Sequence, residues 1–332
     1  MKELPEIVRR LSRPSGFPVV LATLVKAEGS SYRRPGARAL LDANGGKVGS
    51  ISGGCLEDDV VLHARAVLAT GISKTVVYDT TEENDLVWGV GLGCHGIVRV
   101  FLERLTVFPE WAATVAQNQV HRRDTTLAVR YGATSPDDRR TAVALPSDLA
   151  ESGKGLLVEV IPPVISLNIF GAGDDARPLV LLAKEMGWDV SVIDPRSAYA
   201  TVGRFPLADR VIHASTDKAA AAVRCDSQTA SVIMTHHYVH DLPLLRALLP
   251  SPSFYLGLLG PKKRSEKLLH DLGASGTVVS NEERARLHSP VGLDLGGDSP
   301  ESVALAVVAE IQAVHSGRTA RPLRERLQPI HR

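Results

Sequence analysis

Apolar positions along the chain fall into two different grammars, and the change between them comes near the midpoint. In the first half, Leu4–Leu11 has helical spacing and Pro18–Lys26 (PVVLATLVK) is an unbroken apolar, β-branched run, which predicts a short helix and then a strand. Ala37–Leu41 and Lys47–Ile51 flank Asp42-Ala-Asn-Gly-Gly46, residues that tolerate positive φ, and predict a hairpin. Leu56–Thr70 carries apolar residues at 56, 60, 61, 64, 67 and 68 and ends at Gly71, a helix with its stop signal. Lys74–Asp79 and Gly96–Leu105 read as further strands. Thr125–Tyr131, Arg140–Leu145 and Leu156–Ile161 read as strands expected to extend the first sheet, before Pro162-Pro163 stiffens the chain.

Beyond that break, short apolar strands alternate with amphipathic helices: Ser166–Phe170, Ala176–Gly187, Asp189–Ile193, Arg210–His213, Ser231–Thr235, Leu242–Leu249, Phe254–Leu258 and Pro261–Leu272. Such alternation predicts a parallel sheet covered on both faces. Ser299-Pro300-Glu301 starts a last helix, running to about His315. The expected fold class is therefore α/β, with an N-terminal mixed α+β domain followed by a Rossmann-like doubly wound parallel sheet. The expected domains are 1–105, a strand-rich connector 106–163, the Rossmann-like domain 164–317 and a solvated arginine-containing tail 318–332.

Composition narrows the class. The 332 residues are 44% hydrophobic and 23% charged, with a formal net charge of +1. That suits a globular protein of two domains and offers no global field for a polyanion, so no nucleic-acid partner is expected. No apolar run reaches the roughly 18 residues of a membrane span, and the acidic start Met-Lys-Glu-Leu-Pro-Glu lacks a signal-peptide h-region. Three cysteines, Cys55, Cys94 and Cys225, are too few for a disulfide framework and suit a reducing cytoplasm.

Candidate chemistry concentrates in glycine turns. Gly53-Gly54-Cys55-Leu56-Glu57 passes from a strand end into a helix, which predicts Cys55 in a helical first turn, where free amides favour a thiolate. Gly89-Val-Gly-Leu-Gly93-Cys94-His95-Gly96 is a second glycine-dense turn around a thiol. Such turns form anion-binding nests, whereas zinc would need more ligands at close spacing, so no directly bound metal is expected. Gly29-Ser-Ser-Tyr-Arg33-Arg-Pro-Gly36 offers hydroxyls and guanidinium groups to a phosphate or carboxylate.

In the second half, Gly171-Ala-Gly173-Asp-Asp-Ala176 follows a strand and opens a helix, a dinucleotide fingerprint. Gly171 suits the tight turn, Gly173 lets backbone approach a pyrophosphate, and Ala176 keeps helix and strand close. An acid expected about 20 residues later for a ribose hydroxyl stands at Asp194, in Val-Ile-Asp-Pro-Arg196. Asp174 and Asp175 either point away from a diphosphate or mark a site not built for ordinary NAD. His236 follows a strand, at the edge where α/β sheets bind ligands, and reads as a ligand contact rather than as half of a His236/His240 metal pair. Gly257-Leu-Leu-Gly260-Pro-Lys262-Lys-Arg264 reads as another strand-to-helix turn, whose bases call for an anion.

Taken together, these motifs resemble the xanthine dehydrogenase accessory factor family (XdhC/CoxI). The similarity runs through Gly29, Ser30, Arg33, Pro35, Gly36 and Ala37, then Gly49, Ser52, Gly53, Gly54, Cys55 and Glu57, then Gly91–Gly96. It continues in Gly171–Ala176, Asp194 with Arg196, Thr235 with His236 and Asp241, Gly257–Gly260 and Pro290–Gly296. The chain departs from the family's usual residues at Asp174, His95 and Pro261. The resemblance implies a chaperone-like carrier rather than an enzyme. It would bind molybdenum cofactor, in a nucleotide-free or dinucleotide form, support its sulfuration, and deliver it to an apo-molybdenum hydroxylase, with a cysteine desulfurase as a further partner. Cys55 and Cys94 are then the thiols on the sulfur and molybdenum side. Gly53, Gly54, Glu57, Arg33, Gly93, Gly171, Gly173, Ala176, Asp194, Arg196, His236, Gly257, Gly260 and Lys262 are the cofactor-binding candidates. A homodimer is expected. The alternative from another class is an NAD(P)-dependent oxidoreductase, which the fingerprint favours and the cysteine turns leave unexplained; a nucleotide-sensing scaffold is the third reading.

Overall fold

The computed structural model describes residues 2–13, 16–79, 96–132, 140–151, 153 and 155–327, which form two compact units meeting in sequence at Pro163/Val164. In the first unit, β1 (Val19–Gly29), β2 (Arg38–Asp42), β3 (Lys47–Gly49), β4 (Lys74–Asp79) and β5 (Gly96–Leu105) make an antiparallel sheet in the order β3-β2-β1-β5-β4. The long apolar run of β1 is explained by burial on both faces. Val20, Ala22 and Leu24 pack with Val60, Ala64 and Val67 of α2 (Glu57–Thr70). Val19 and Leu21 pack with Leu4, Ile7, Val8 and Leu11 of α1 (Glu3–Leu11). Gly71 ends α2 in the left-handed conformation, as its position after the apolar stripe predicts.

The connector differs from expectation. β6 (Thr125–Arg130), β7 (Thr141–Val143) and β8 (Leu156–Ile161) do not extend the first sheet but form their own antiparallel sheet in the order β7-β6-β8. Leu127 and Ile161 join the α1-side core, so these strands cover a sheet face instead of lengthening an edge. Two helices of the connector went unread in the sequence. The helix α3 (Glu110–His121) buries only Trp111, Ala112 and Val115, too narrow a stripe to stand out; α4 (Pro146–Glu151) is little more than a turn.

The second unit is doubly wound. β9 (Ser166–Phe170), β10 (Asp189–Asp194), β11 (Arg210–His213), β12 (Thr229–Ile233), β13 (Tyr255–Leu258) and β14 (Leu287–His288) are parallel, in the order β11-β10-β9-β12-β13-β14. Numbered within the unit this is 3-2-1-4-5-6, the Rossmann order. Leu167, Ile169, Val190 and Val232 face α5 (Ala176–Glu185) and α10 (Pro300–His315). Phe170, Ile193, Ile233 and Leu256 face α7 (Tyr238–Leu248) and α8 (Lys262–Ala274). The short helices α6 (Thr216–Ala219) and α9 (Asn281–Arg286) also went unread in the sequence. The order reverses between β9 and β12, which puts the glycine loop after β9 beside the Thr235-His236 loop after β12.

Candidate functional site

In the first unit the Ser-Ile-Ser-Gly-Gly-Cys loop is organised from within. Glu57, 8% exposed, turns its carboxylate back onto the loop. It accepts from the Ser50 hydroxyl at 2.7 Å, the Ser52 amide at 3.0 Å and the Ser52 hydroxyl. Ser52 Oγ in turn accepts from the amides of Gly54 (3.1 Å) and Leu56 (3.2 Å). Burial opposes the charge on Glu57, but the hydroxyls of Ser52 and Ser50 and the Ser52 amide prevail and hold the carboxyl at about 2. Expected as a cofactor contact, Glu57 instead braces the loop. Cys55 is exposed and lies ahead of α2, whose first helical residue is Glu57, rather than in its first turn. Gly54 holds φ +121 in open space and Gly53 rests against the Tyr32 ring.

Cys55 and Arg33 line one small cleft of ≈ 30 Å³, with Ser30, Tyr32 and Gly96. Arg33 reaches Glu3 of α1 at 2.6 Å. Gly96 pairs with Gly29 across β1 and β5, and a Cβ there would lie 2.7 Å from the Glu28 carbonyl oxygen. Gly93 and Cys94 lie outside the described residues. The Pro-Gly-Ala stretch of the arginine loop has a structural partner that the sequence did not disclose. Arg38 is buried, donates to the Gly36 carbonyl at 3.0 Å and pairs with Glu159 of β8, whose carboxylate covers Gly36.

In the second unit the fingerprint and the switch point converge. Gly171 has φ +125, and a Cβ on it would lie 2.7 Å from the Met234 carbonyl carbon, so only glycine fits between the two loops. Gly173 is covered by the Asp175 carboxylate, and Ala176 is fully buried in the core. The two acids of the fingerprint are each paired: Asp174 with Arg204 at 2.8 Å, Asp175 with His236 Nε2 at 2.6 Å. His236 itself sits at φ +61, an uncommon conformation for a non-glycine residue, at the edge expected for a ligand contact. His240 turns elsewhere, its Nδ1 2.8 Å from Thr216 Oγ1.

Asp194 departs from the expected ribose role. Its carboxylate accepts from the amides of Ala172 and Arg196 and from the Arg196 guanidinium, all at 2.7–2.9 Å. Burial opposes its charge, but these donors hold its carboxyl below the usual range. Gly257 is likewise not on a turn: it lies inside β13, where a Cβ would lie 2.6 Å from Val291 Cγ2. Gly260 turns the chain at φ +137 against Arg264, and Lys262 is exposed at the start of α8. Arg264 already has a counter-charge, because it pairs with buried Asp241, which also accepts from Thr235.

Comparison with known proteins follows the same division. Residues 13–79 match the XdhC and CoxI family and residues 167–311 match the XdhC Rossmann domain. The chain is 34% identical over 311 residues to a probable xanthine dehydrogenase subunit of Bacillus subtilis (strain 168), covering 88% of this chain and 92% of that one. This protein belongs to the XdhC and CoxI family. Another relative is the molybdenum cofactor insertion chaperone PaoD of Escherichia coli (strain K12), 27% identical over 90% of this chain and 84% of that protein. The XdhC/CoxI chain also resembles a crystal structure described as a xanthine dehydrogenase from Bacillus halodurans, with a TM-score of 0.83 and 29% identity over 97% of this chain and 99% of that one. Among the described residues, no helix is long and apolar enough to cross a membrane.

Proposed function

We propose that this XdhC/CoxI-family protein is a maturation factor that binds molybdenum cofactor, supports its sulfuration and passes it to an apo-molybdenum hydroxylase. The observation that carries the reading is the presentation of Cys55: an exposed thiol on a loop whose neighbouring amides and acid are bonded internally, at the rim of a cleft shared with Arg33. A thiol held this way can meet a sulfur donor or a molybdenum-bound sulfur while the loop stays fixed. A cysteine desulfurase is the sulfur-donating partner, and the carrier acts as a homodimer. The second unit holds the nucleotide part of a dinucleotide cofactor. Its glycine loop is tight at Gly171, and Gly173 carries no side chain of its own, so a diphosphate reaches the backbone once the Asp175 carboxylate over Gly173 turns aside.

The test is purification of the full chain from cells with active cofactor synthesis, followed by metal analysis and fluorescence identification of the released pterin. Stoichiometric molybdenum and pterin support the reading. A protein that never carries either, and whose loss leaves client molybdoenzymes fully active, overturns it. The Rossmann strand order keeps an NAD(P)-dependent oxidoreductase as the second reading. Turnover of a small carbonyl or alcohol with NAD(P)H would establish that reading in place of the first.

A further inference from the structure

A Rossmann sheet meets the ribose of its nucleotide at the end of the second strand, usually through a carboxylate. Here that carboxylate is closed. Asp194 is 1% exposed. Its Oδ2 accepts from the Ala172 amide and Arg196 Nη2, both at 2.7 Å. Its Oδ1 accepts from the Arg196 amide at 2.8 Å and Arg196 Nε at 2.9 Å. A carboxylate offers about four lone-pair sites, and all four are taken. A ribose diol, arriving with O–H donors, finds no free lone pair on Asp194.

The groups that reach solvent there include two arginines, Arg204 sharing its charge with the outward-facing Asp174 carboxylate. The Arg196 side chain is 42% exposed and its guanidinium carbon lies 3.8 Å from the Tyr199 ring centroid. The Arg204 guanidinium carbon lies 4.8 Å from the same ring, with Nη2 on Asp174 at 2.8 Å and near the Ala172 carbonyl at 3.4 Å. One aromatic ring thus positions two guanidinium forks beside the glycine loop. Each fork carries five N–H donors, and the bonds above use a minority on Arg204 and leave the Nη1 donors of Arg196 unengaged. Arg204 Nε is buried without a partner.

We infer that Arg196 and Arg204 form a subsite for a phosphate monoester next to the diphosphate-binding loop. The inference rests on the reading that the second unit binds a nucleotide or pterin phosphate. Planar forks match phosphate oxygens in pairs, and a dianion gains charge-assisted bonds from both, whereas a neutral diol accepts only single, weaker ones. The monoester has two sources: a phosphate on a nucleotide ribose, or the terminal phosphate of a nucleotide-free pterin.

Calorimetry on the full chain with two matched pairs tests it: adenosine 2′,5′-bisphosphate against 5′-AMP, and a phosphorylated oxidised pterin side-chain derivative against its dephosphorylated form. In at least one pair the phosphorylated member should bind tenfold tighter or more, and the pair that responds identifies the source. Arg196→Ala should erase that preference and bind 5′-AMP as well as or better than the wild type, because Asp194 is uncovered. Arg204→Gln, which leaves the Asp194 network intact, should also lower the preference at least tenfold. Equal affinity within both pairs overturns the subsite while leaving nucleotide binding standing. No measurable binding of any of the four probes overturns both.

Discussion

Gly171 and Met234 meet backbone to backbone, so closely that a Cβ on Gly171 would lie 2.7 Å from the Met234 carbonyl carbon and 3.0 Å from the Thr235 amide. The contact locks the loop after the first strand of the Rossmann sheet to the loop after the fourth, at the point where the strand order reverses. Gly171 also holds φ +125, which an L side chain resists. Gly171→Ala should therefore cost about 3 kcal/mol in urea unfolding. Gly173→Ala meets only the flexible Asp175 carboxylate and should cost under about 1 kcal/mol, yet weaken dinucleotide binding at least tenfold. Equal stability of the two variants would show that the Gly171 contact does not hold the switch point together.

Much of this fold is legible from period and punctuation. The fingerprint glycines, the Gly71 stop and the Ser299-Pro300 start all act locally, through φ, capping and close approach, and each stands where the sequence puts it. What could not be read is long-range pairing of polar groups. Nothing local in Asp194 says that Arg196 and the Ala172 amide will saturate it, and nothing in Arg38 says that Glu159 waits on a strand of another sheet. Arg264 shows the same limit: a base at a helix start reads as an anion contact until buried Asp241 is seen beneath it. The first-turn placement of Cys55 failed for a local reason, since Glu57 folds back on Ser50 and Ser52 and delays the helix.

Two acids of the first unit should titrate in opposite senses. Glu57 is held at about 2 against an ordinary value of 4.5. Its stabilising contribution is complete above the unfolded value and disappears as pH falls from 4.5 towards 2. Glu103 is buried, and burial pushes its carboxyl up to about 7 despite donors from Thr141 and the charges of Arg38 and Arg140. Folding there takes up a proton, so this group's contribution is best below 4.5 and declines as pH rises to about 7. Glu57→Gln should cost about 2–3 kcal/mol at neutral pH and flatten the acid limb of a stability-against-pH curve. An acid limb that is unchanged in Glu57→Gln would mean the serine network does not hold the charge.

The Arg38–Glu159 pair ties the first sheet to the connector sheet, with the Arg38 side chain 1% exposed. Glu159→Gln leaves a buried guanidinium short of its counter-charge and should cost about 3–5 kcal/mol. The double variant Arg38→Met, Glu159→Leu removes both charges and should recover most of that loss. If the single and double variants unfold at the same urea concentration, the pair is not what couples the two sheets.

Cys55 gives the most direct test of the sulfur-side role, because its exposure separates function from folding. Its side chain contributes no core packing, so Cys55→Ala should change stability by less than about 0.5 kcal/mol. Cys225 is partly buried against the α7 and α8 core, with the Asn168 amide 3.8 Å from its sulfur, and Cys225→Ala should cost about 1 kcal/mol. Alkylation with iodoacetamide should modify Cys55 well before Cys225, since access limits the partly buried thiol. In cells, Cys55→Ala should reduce client molybdoenzyme activity severalfold at unchanged carrier abundance, while Cys225→Ala should leave it unaltered once abundance is matched. If Cys55→Ala carriers load cofactor and mature the client at the wild-type rate, the thiol has no part in sulfuration; the nucleotide-binding reading of the second unit then stands or falls on Gly173→Ala and on whether the wild-type chain binds any of the four probes.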